Sequence, residues 1–298
     1  MIEVKSQDPA SLSRGQWQNF LKSPTGFLGL GLLGVLVLVA LFGPLLAPHA
    51  PEAQDYTKKF LPPAWFDGGL AEHLLGTDVL GRDLFSRIVF GTRLSLLIGL
   101  FAIVVGGCIG VPLGLISGFL GGKVDLLLMR VMDLMLALPS LLLAVVIVSI
   151  LGPDLWNGVI AIGLVNIPTF ARIARSGVLS ELEKEYVAAD RVIGRRAHKI
   201  LLFGIVPNMV GPLIVVVTLS FGSAVLDAAG LSFLGLGAQP PSPEWGALIA
   251  EGRNYVFHAP WLIWFPGIAI LVTVVAFNLL GDSLRDLMAP DEDTSRPS

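Results

Sequence analysis

The chain has 298 residues, of which 54% are hydrophobic and only 14% charged. Its mean hydropathy is +0.76, whereas about a quarter of the residues of a soluble domain carry charge, so a soluble fold is excluded and a single polytopic membrane bundle is indicated. A formal net charge of −3 argues against nucleic acid as a partner, because phosphate binding needs clustered excess cation.

Six stretches are long and apolar enough to cross a bilayer, which takes about 20 residues. Residues 1–26 form a polar tail ahead of the first, 27–47. That stretch exceeds the roughly 7–15 apolar residues of a cleaved signal core and follows a long leader, so it reads as a retained anchor. The segment 48–93 is polar and bears Asp78, Arg82, Asp83, Arg87 and Arg93, spaced for ion pairs along an amphipathic, solvated helix. A core domain, 94–284, then holds five spans at 94–120, 126–151, 155–171, 210–236 and 261–280. In the first of these, Gly106, Gly110, Gly114, Gly118 and Gly122 recur every fourth residue, the small face that lets membrane helices approach closely. Cys108, in the same run, reads as a small buried hydrophobe. The span at 155–171 contains Asn166 and Pro168, breaks that neighbouring helices can accommodate. A loop at 237–260 joins the last two spans, and 285–298 is a second polar tail.

Lys and Arg are unevenly shared between the two sides. One side collects fourteen: Lys5, Arg14, Lys22, Lys123, Arg130, Arg172, Arg175, Lys184, Arg191, Arg195, Arg196, Lys199, Arg285 and Arg296. The other has five, Lys58, Lys59, Arg82, Arg87 and Arg253, leaving aside Arg93 at a span edge. The positive-inside rule then puts both termini in the cytoplasm, with Trp156, Trp261 and Trp264 at the outer interface, where indoles prefer to sit.

Two nucleotide-site lookalikes fail. GLGLLG at 29–34 lies inside an apolar span with no strand before it, and SGFLGGKVD at 117–125 has Ser117 and Val124 where a phosphate loop needs Gly and Ser or Thr. The chain is therefore expected to bind no ATP of its own. No HExxH occurs and none of the four histidines lies clearly within a span, so no metal site is expected.

One dense polar island interrupts the core, ELEKEYVAADRVIGRRAHKILLFGIVPN from Glu181 to Asn208. Ser180 followed by Glu183 has the form of a capping box and predicts a helix over about 181–193 that stops at Gly194. A second helical stretch from Arg195 leads to Pro207, with Arg195, Arg196 and Lys199 at headgroup level. The helix is too polar to insert and should lie along the cytoplasmic surface, offering Tyr186, Val187, Ala189 and Ile193. It either holds the loop flat at the interface or docks a partner. Among charged residues inside spans, which mark pathways by default, Asp227 is the most isolated; it faces a translocation cavity or makes a hydrogen bond at a helix interface. Asn278 is a weaker candidate, and Asp133 is expected to pair with Arg130.

The island resembles the cytoplasmic signature of bacterial ABC importer permeases: EAA, three residues, Gly, nine residues, then I-x-L-P. The register places Ala188, Ala189 and Asp190 on the EAA triplet, followed by Gly194 and by Gly204 to Pro207. Ala188 replaces the family's glutamate, Asp190 an alanine, and Gly204 and Val206 the Ile and Leu. HLLGTDVLGRDLFSRIVFGTRLSL (73–96), MRVMDLMLALPSLLLA (129–144), LSFLGLGAQPPSPEWG (231–246) and FNLLGDSLRDLMAP (277–290) are similar to the C-type permeases of dipeptide and oligopeptide importers. The resemblance implies an all-α type I permease fold in the bacterial inner membrane, with six spans embedded in lipid. It also implies a homologous B-type permease partner, two ATPase subunits that hold ATP and Mg, and an extracytoplasmic substrate-binding protein. Dipeptides or short peptides would be imported by alternating access; nickel, glutathione and longer oligopeptides are the alternatives within the family. The island becomes a coupling helix in which Glu185, Tyr186, Val187, Ala188, Ala189, Asp190, Arg191, Gly194 and Pro207 serve the ATPase. Asp78, Arg82, Asp83 and Arg87, with residues 238–260, would meet the binding protein. Two rivals remain: a secondary transporter working alone, and an intramembrane protease built on Asp133 and Asp227.

Overall fold

A computed structural model describes residues 23–288. Most of both tails lies outside them, including Lys5, Arg14, Lys22 and Arg296 of the charge count. Among the described residues there is no strand, only an isolated bridge between Thr77 and Asp83. Within the same described residues, five helices are long and apolar enough to cross a membrane, and a bent pair makes a sixth if counted as one span.

Helix α1 (Pro24–Leu46) starts on Ser23, whose side chain accepts from the Gly26 N–H, with Pro at the first position, where no N–H is needed. Its Gly29 lies against the last long helix: a Cβ there would come within 2.9 Å of the Leu280 nitrogen, while Gly31 and Gly34 face open space. The GLGLLG glycines thus lie within a helix, one of them at a crossing. Most of the remaining surface of α1 is exposed leucine, valine and phenylalanine, the pattern of a lipid-facing helix.

Helix α2 (Leu84–Leu120) starts well before the expected residue 94 because Asp83 caps it, accepting from the Ser86 N–H at 2.8 Å. It runs parallel to α5 (Leu155–Leu182) along the glycine seam. Cβ atoms at Gly106, Gly110 and Gly114 would lie 2.9, 2.5 and 2.2 Å from the carbonyl oxygens of Gly163, Ile167 and Ala171, and one at Gly118 would lie 2.9 Å from Val178. Gly122 is not part of the seam; with φ +56° it opens the next helix. Without a hydrophobic drive between helices in lipid, this backbone contact is what association rests on. Cys108 lies off the seam and is exposed, against the expectation that it is buried.

The expected span at 126–151 is not continuous. It is two helices, α3 (Gly122–Leu136) and α4 (Ser140–Leu151), bent by 94°. Leu138-Pro139 forces the break, since proline drives the residue before it out of the helical region. Helix α5 overruns its expected end at 171 and passes through Ser180, so the capping box does not form. The following helix α6 (Glu185–Val192) begins on Lys184 with no side-chain cap, because a span already hydrogen-bonded through Leu182 leaves no free N-terminus at Ser180.

Helix α7 (Ala197–Ile200) and one π turn, Leu201–Ile205, lead into α8 (Val206–Phe233). A short helix α9 (Trp245–Gly252) and the long α10 (Trp261–Met288) complete the described residues. The main core lies among α2, α5 and α8, where Ala102, Ile162, Phe170, Ala224 and Val225 are buried. Stacked rings of Phe221 and Phe277, 3.9 Å apart, join α8 to α10. Trp156 and Trp261 open α5 and α10, and both stand with Trp264 at the end of the bundle opposite α6.

Candidate functional site: a bolted surface helix and a cavity at a broken span

Helix α6 is fastened to the bundle by one face. Val187 is fully buried among Ala174 and Val178 of α5, Ile200 of α7, Ile205 of the π turn and Met209 of α8. The Tyr186 hydroxyl donates to Glu181 at 2.7 Å and accepts from the Asn208 side chain at 3.2 Å, so it links the end of α5 to the start of α8. Burial, and then the neighbouring Glu181 carboxylate, push the Tyr186 phenol up to about 12; it stays a neutral donor at any physiological pH. Glu181 is itself buried and also receives Lys184 at 2.5 Å. Tyr186 and Val187, expected to face outward, therefore point into the protein, because the α5–α8 junction offers an apolar socket and a buried acceptor.

The opposite face is free. Glu185, Ala188, Ala189 and Arg191 are exposed, and Val192 and Ile193 are 87% and 77% exposed. The helix ends in a Schellman motif: the Gly194 N–H donates to the Arg191 carbonyl and the Arg195 N–H to that of Asp190, with Gly194 at φ +75°. Arg195 also ion-pairs with Asp190 at 2.6 Å, so Asp190 serves the cap. Pro207 sits at the start of α8, just after the π turn in which the Val206 N–H reaches the Leu201 carbonyl. Such a turn accommodates a proline that lacks an N–H and crowds the preceding carbonyls.

The second element is a partly open cavity of about 310 Å³ at the α3–α4 break. Leu136, Leu138 and Ser140 come from the break, Asn166 and Thr169 from α5, and Ser220, Ser223 and Asp227 from α8. Irregular backbone at membrane depth is tolerated where it lines a cavity. Asp227 is half-buried, with Ser140 as its hydrogen-bond partner. The spacing of Ser220, Ser223 and Asp227 puts them on one helical face, a pattern present in the sequence but missed when only charges were sought. Asn278 does not line this cavity; it is exposed on α10 beside Gly222. Asp133 is also absent from its lining, held by Arg172 at 2.6 Å and by Arg130 at 4.0 Å. A protease dyad of Asp133 with Asp227 is thus not assembled.

At the end opposite α6, no separate solvated helix spans residues 78–93, against expectation: 78–83 form a loop, 84–93 are the first turns of α2, and Asp78, Arg82, Asp83 and Arg87 are buried. Arg82 and Arg87 are 2% and 0% exposed. Arg82 binds Asp78 at 2.6 Å and Glu251 at 2.5 Å, and Arg87 binds the same two carboxylates at 3.0 and 3.3 Å. Two arginines can be buried here because two carboxylates, one from the distant α9, neutralise them. Asp83, equally buried, caps α2. The surface offered at this end is instead Trp65, Phe66 and Phe257, the last 95% exposed. The fold also gathers His49, His73 and Asp83, a set the sequence reading did not single out.

Residues 110–293 match the family described as binding-protein-dependent transport system inner membrane component. Residues 11–63 match the N-terminal TM domain of oligopeptide transport permease C. The di/tripeptide transport system permease protein DppC of Pseudomonas aeruginosa (strain UCBPP-PA14) is 50% identical over 274 residues, 92% of this chain and 90% of the relative. The dipeptide transport system permease protein DppC of Escherichia coli (strain K12) is 46% identical over 92% of this chain and 91% of its own. The glutathione transport system permease protein GsiD of Pectobacterium atrosepticum is 40% identical over 92% and 89%. Among solved structures, a chain of the MetNI methionine ABC transporter in an inward facing conformation matches with a TM-score of 0.58 at 17% identity, over 68% of this chain and 97% of that one.

Proposed function

This chain belongs to the family of binding-protein-dependent transport system inner membrane components, and from that premise we propose that it is the permease subunit of an ABC importer that takes up dipeptides or short peptides by alternating access. The observation that carries the reading is the shared anchorage of α6. One surface helix is fixed by Tyr186 and Val187 to both α5 and α8, the two helices whose polar faces line the cavity with Asp227.

An ATPase subunit docks on the exposed face formed by Ala188, Ala189, Val192 and Ile193, with Glu185 and Arg191 at its edges. When ATP closes the ATPase pair, α6 moves with its ATPase and carries α5 and α8, so the cavity changes the side to which it opens. The ligand-driven shift is limited to its differential affinity for the two states, which is why a rigid fastening matters. Asp227 receives the peptide ammonium, a preference that a half-buried carboxylate makes strong. This chain transmits motion; ATP and Mg are held by the ATPases, and a homologous B-type permease completes the pathway. Both termini face the cytoplasm of a bacterial inner-membrane protein. The substrate-binding protein meets the end opposite α6, through Phe257 and its neighbours rather than through the buried Arg82 and Arg87.

Proteoliposomes holding this chain, its B-type partner and both ATPases, supplied with the binding protein, test the reading. Labelled dipeptide should accumulate only with ATP. Ion-driven uptake by this chain alone would favour a secondary transporter, and accumulation of glutathione but not dipeptide would reassign the cargo.

A further inference from the structure

Three groups that could hold a metal ion converge at the end of the bundle opposite α6, well away from the cavity. His49 follows the end of α1, His73 lies in the connection to α2, and Asp83 caps α2. One donor atom of each lies within 4.8 Å of the others. The His73 Nδ1 is 3.0 Å from one Asp83 oxygen and the His49 Nδ1 is 3.9 Å from the other. Two donors of a tetrahedral ion with bonds of about 2.0–2.1 Å stand about 3.3 Å apart, a separation that these two distances bracket.

Two nitrogens in the cluster are buried without a hydrogen-bond partner, the His49 Nδ1 and the His73 Nε2, an arrangement that costs about 1–3 kcal/mol for each group left unsatisfied. An ion bound through the Nδ1 atoms satisfies the first directly. It also leaves the proton on the His73 Nε2, which stands 4.0 Å from the Glu72 carboxylate, beyond hydrogen-bond distance but on the side from which a carboxylate orients a ligating histidine in metal sites. Ser86 fixes two of the three ligands in advance. Its N–H donates to Asp83 at 2.8 Å, and its hydroxyl accepts from the His49 backbone N–H at 3.1 Å. The Asp83 and His73 side chains are 0% and 5% exposed and that of His49 is 32% exposed, so a fourth position opens to solvent beside His49.

We propose that His49, His73 and Asp83 bind a divalent ion of the zinc class and thereby clamp the end of α1 to the start of α2. Two imidazoles and one carboxylate suit zinc and its borderline neighbours, whereas calcium and magnesium take oxygen ligands. The site is independent of what the importer carries.

The test uses the assembled complex without a polyhistidine tag, stripped with EDTA, exposed to Zn²⁺ and freed of excess. Elemental analysis should find one more zinc per complex in the wild type than in a His49→Gln/His73→Gln variant. Co²⁺ should give the visible absorption of a tetrahedral site only in the wild type. If the double variant fails to assemble, His49→Gln alone, at the exposed edge, should still lower zinc affinity by at least about tenfold, read with a competing chromophoric chelator. Equal zinc in wild type and variant, or no zinc retained by the wild type, would overturn the proposal.

Discussion

Replacing Gly194 with valine isolates the cap of α6 from every other contact. The residue has φ +75°, and a side chain added there would meet nothing within 4 Å, so the whole effect comes from the backbone. An L-residue in this region costs about 1–2 kcal/mol; a β-branched residue lies at the upper end and asparagine, which tolerates it, at the lower. Since 1.4 kcal/mol is a factor of about ten in an equilibrium, valine should depopulate the capped form of α6 by roughly 5- to 30-fold. The two cap hydrogen bonds, from Gly194 to Arg191 and from Arg195 to Asp190, fray with it. The assay is dipeptide imported per ATP hydrolysed in proteoliposomes of the complete complex. Coupling should fall in the order glycine, asparagine, alanine, valine, with assembly retained. Wild-type coupling in Gly194→Val, or loss in Gly194→Asn as severe as in the valine variant, would refute the reasoning.

Tyr186→Phe removes the donor to the buried Glu181, a hydrogen bond to a charged group worth about 1.5–3 kcal/mol, and should lower both the thermal midpoint and the coupling ratio. Because the folded phenol is raised from 10.0 to about 12, its contribution is full below pH 10 and is lost as pH rises toward 12. The stability gap between wild type and variant should therefore stay constant near neutrality and close above about pH 10; a gap that varied around neutrality would contradict the assignment. Gly114→Val should block assembly or destabilise by about 1–3 kcal/mol, since its Cβ would lie 2.2 Å from the Ala171 carbonyl. Gly107→Ala, whose nearest neighbour is 4.0 Å away, should be tolerated; equal thermal midpoints for the two would remove the seam as the reason. Asp227→Asn should cut peptide uptake by at least about tenfold with assembly unchanged, and unaltered uptake would take it off the pathway.

The spans and the α2–α5 seam were legible because apolar length and a four-residue glycine period depend only on local sequence. The end of α6 was legible for the same reason: Gly194 is the one residue there suited to a positive φ. Features set by distant partners were hidden. Arg82 and Arg87 read as solvated because charge normally implies exposure, and their burial becomes tolerable once Glu251, far along the chain, joins the nearby Asp78 in neutralising them. The Ser180–Glu183 pattern was overridden by a span that continued through it, and Tyr186 was misdirected because its socket is built from α5 and α8 together. Pro139 was visible, yet the continuous apolar run around it masked the 94° bend that creates the cavity.

Coupling requires that α6 face the cytoplasm and hold an ATPase. With the exposed Cys108 changed to alanine, a single Ala188→Cys substitution on the free face of α6 allows thiol cross-linking in membranes that contain the whole complex. The expected product joins this chain to an ATPase subunit, is insensitive to membrane-impermeant thiol reagent added outside intact cells, and changes in yield when ATP is bound. Cross-linking to the binding protein, or labelling from outside, would contradict it.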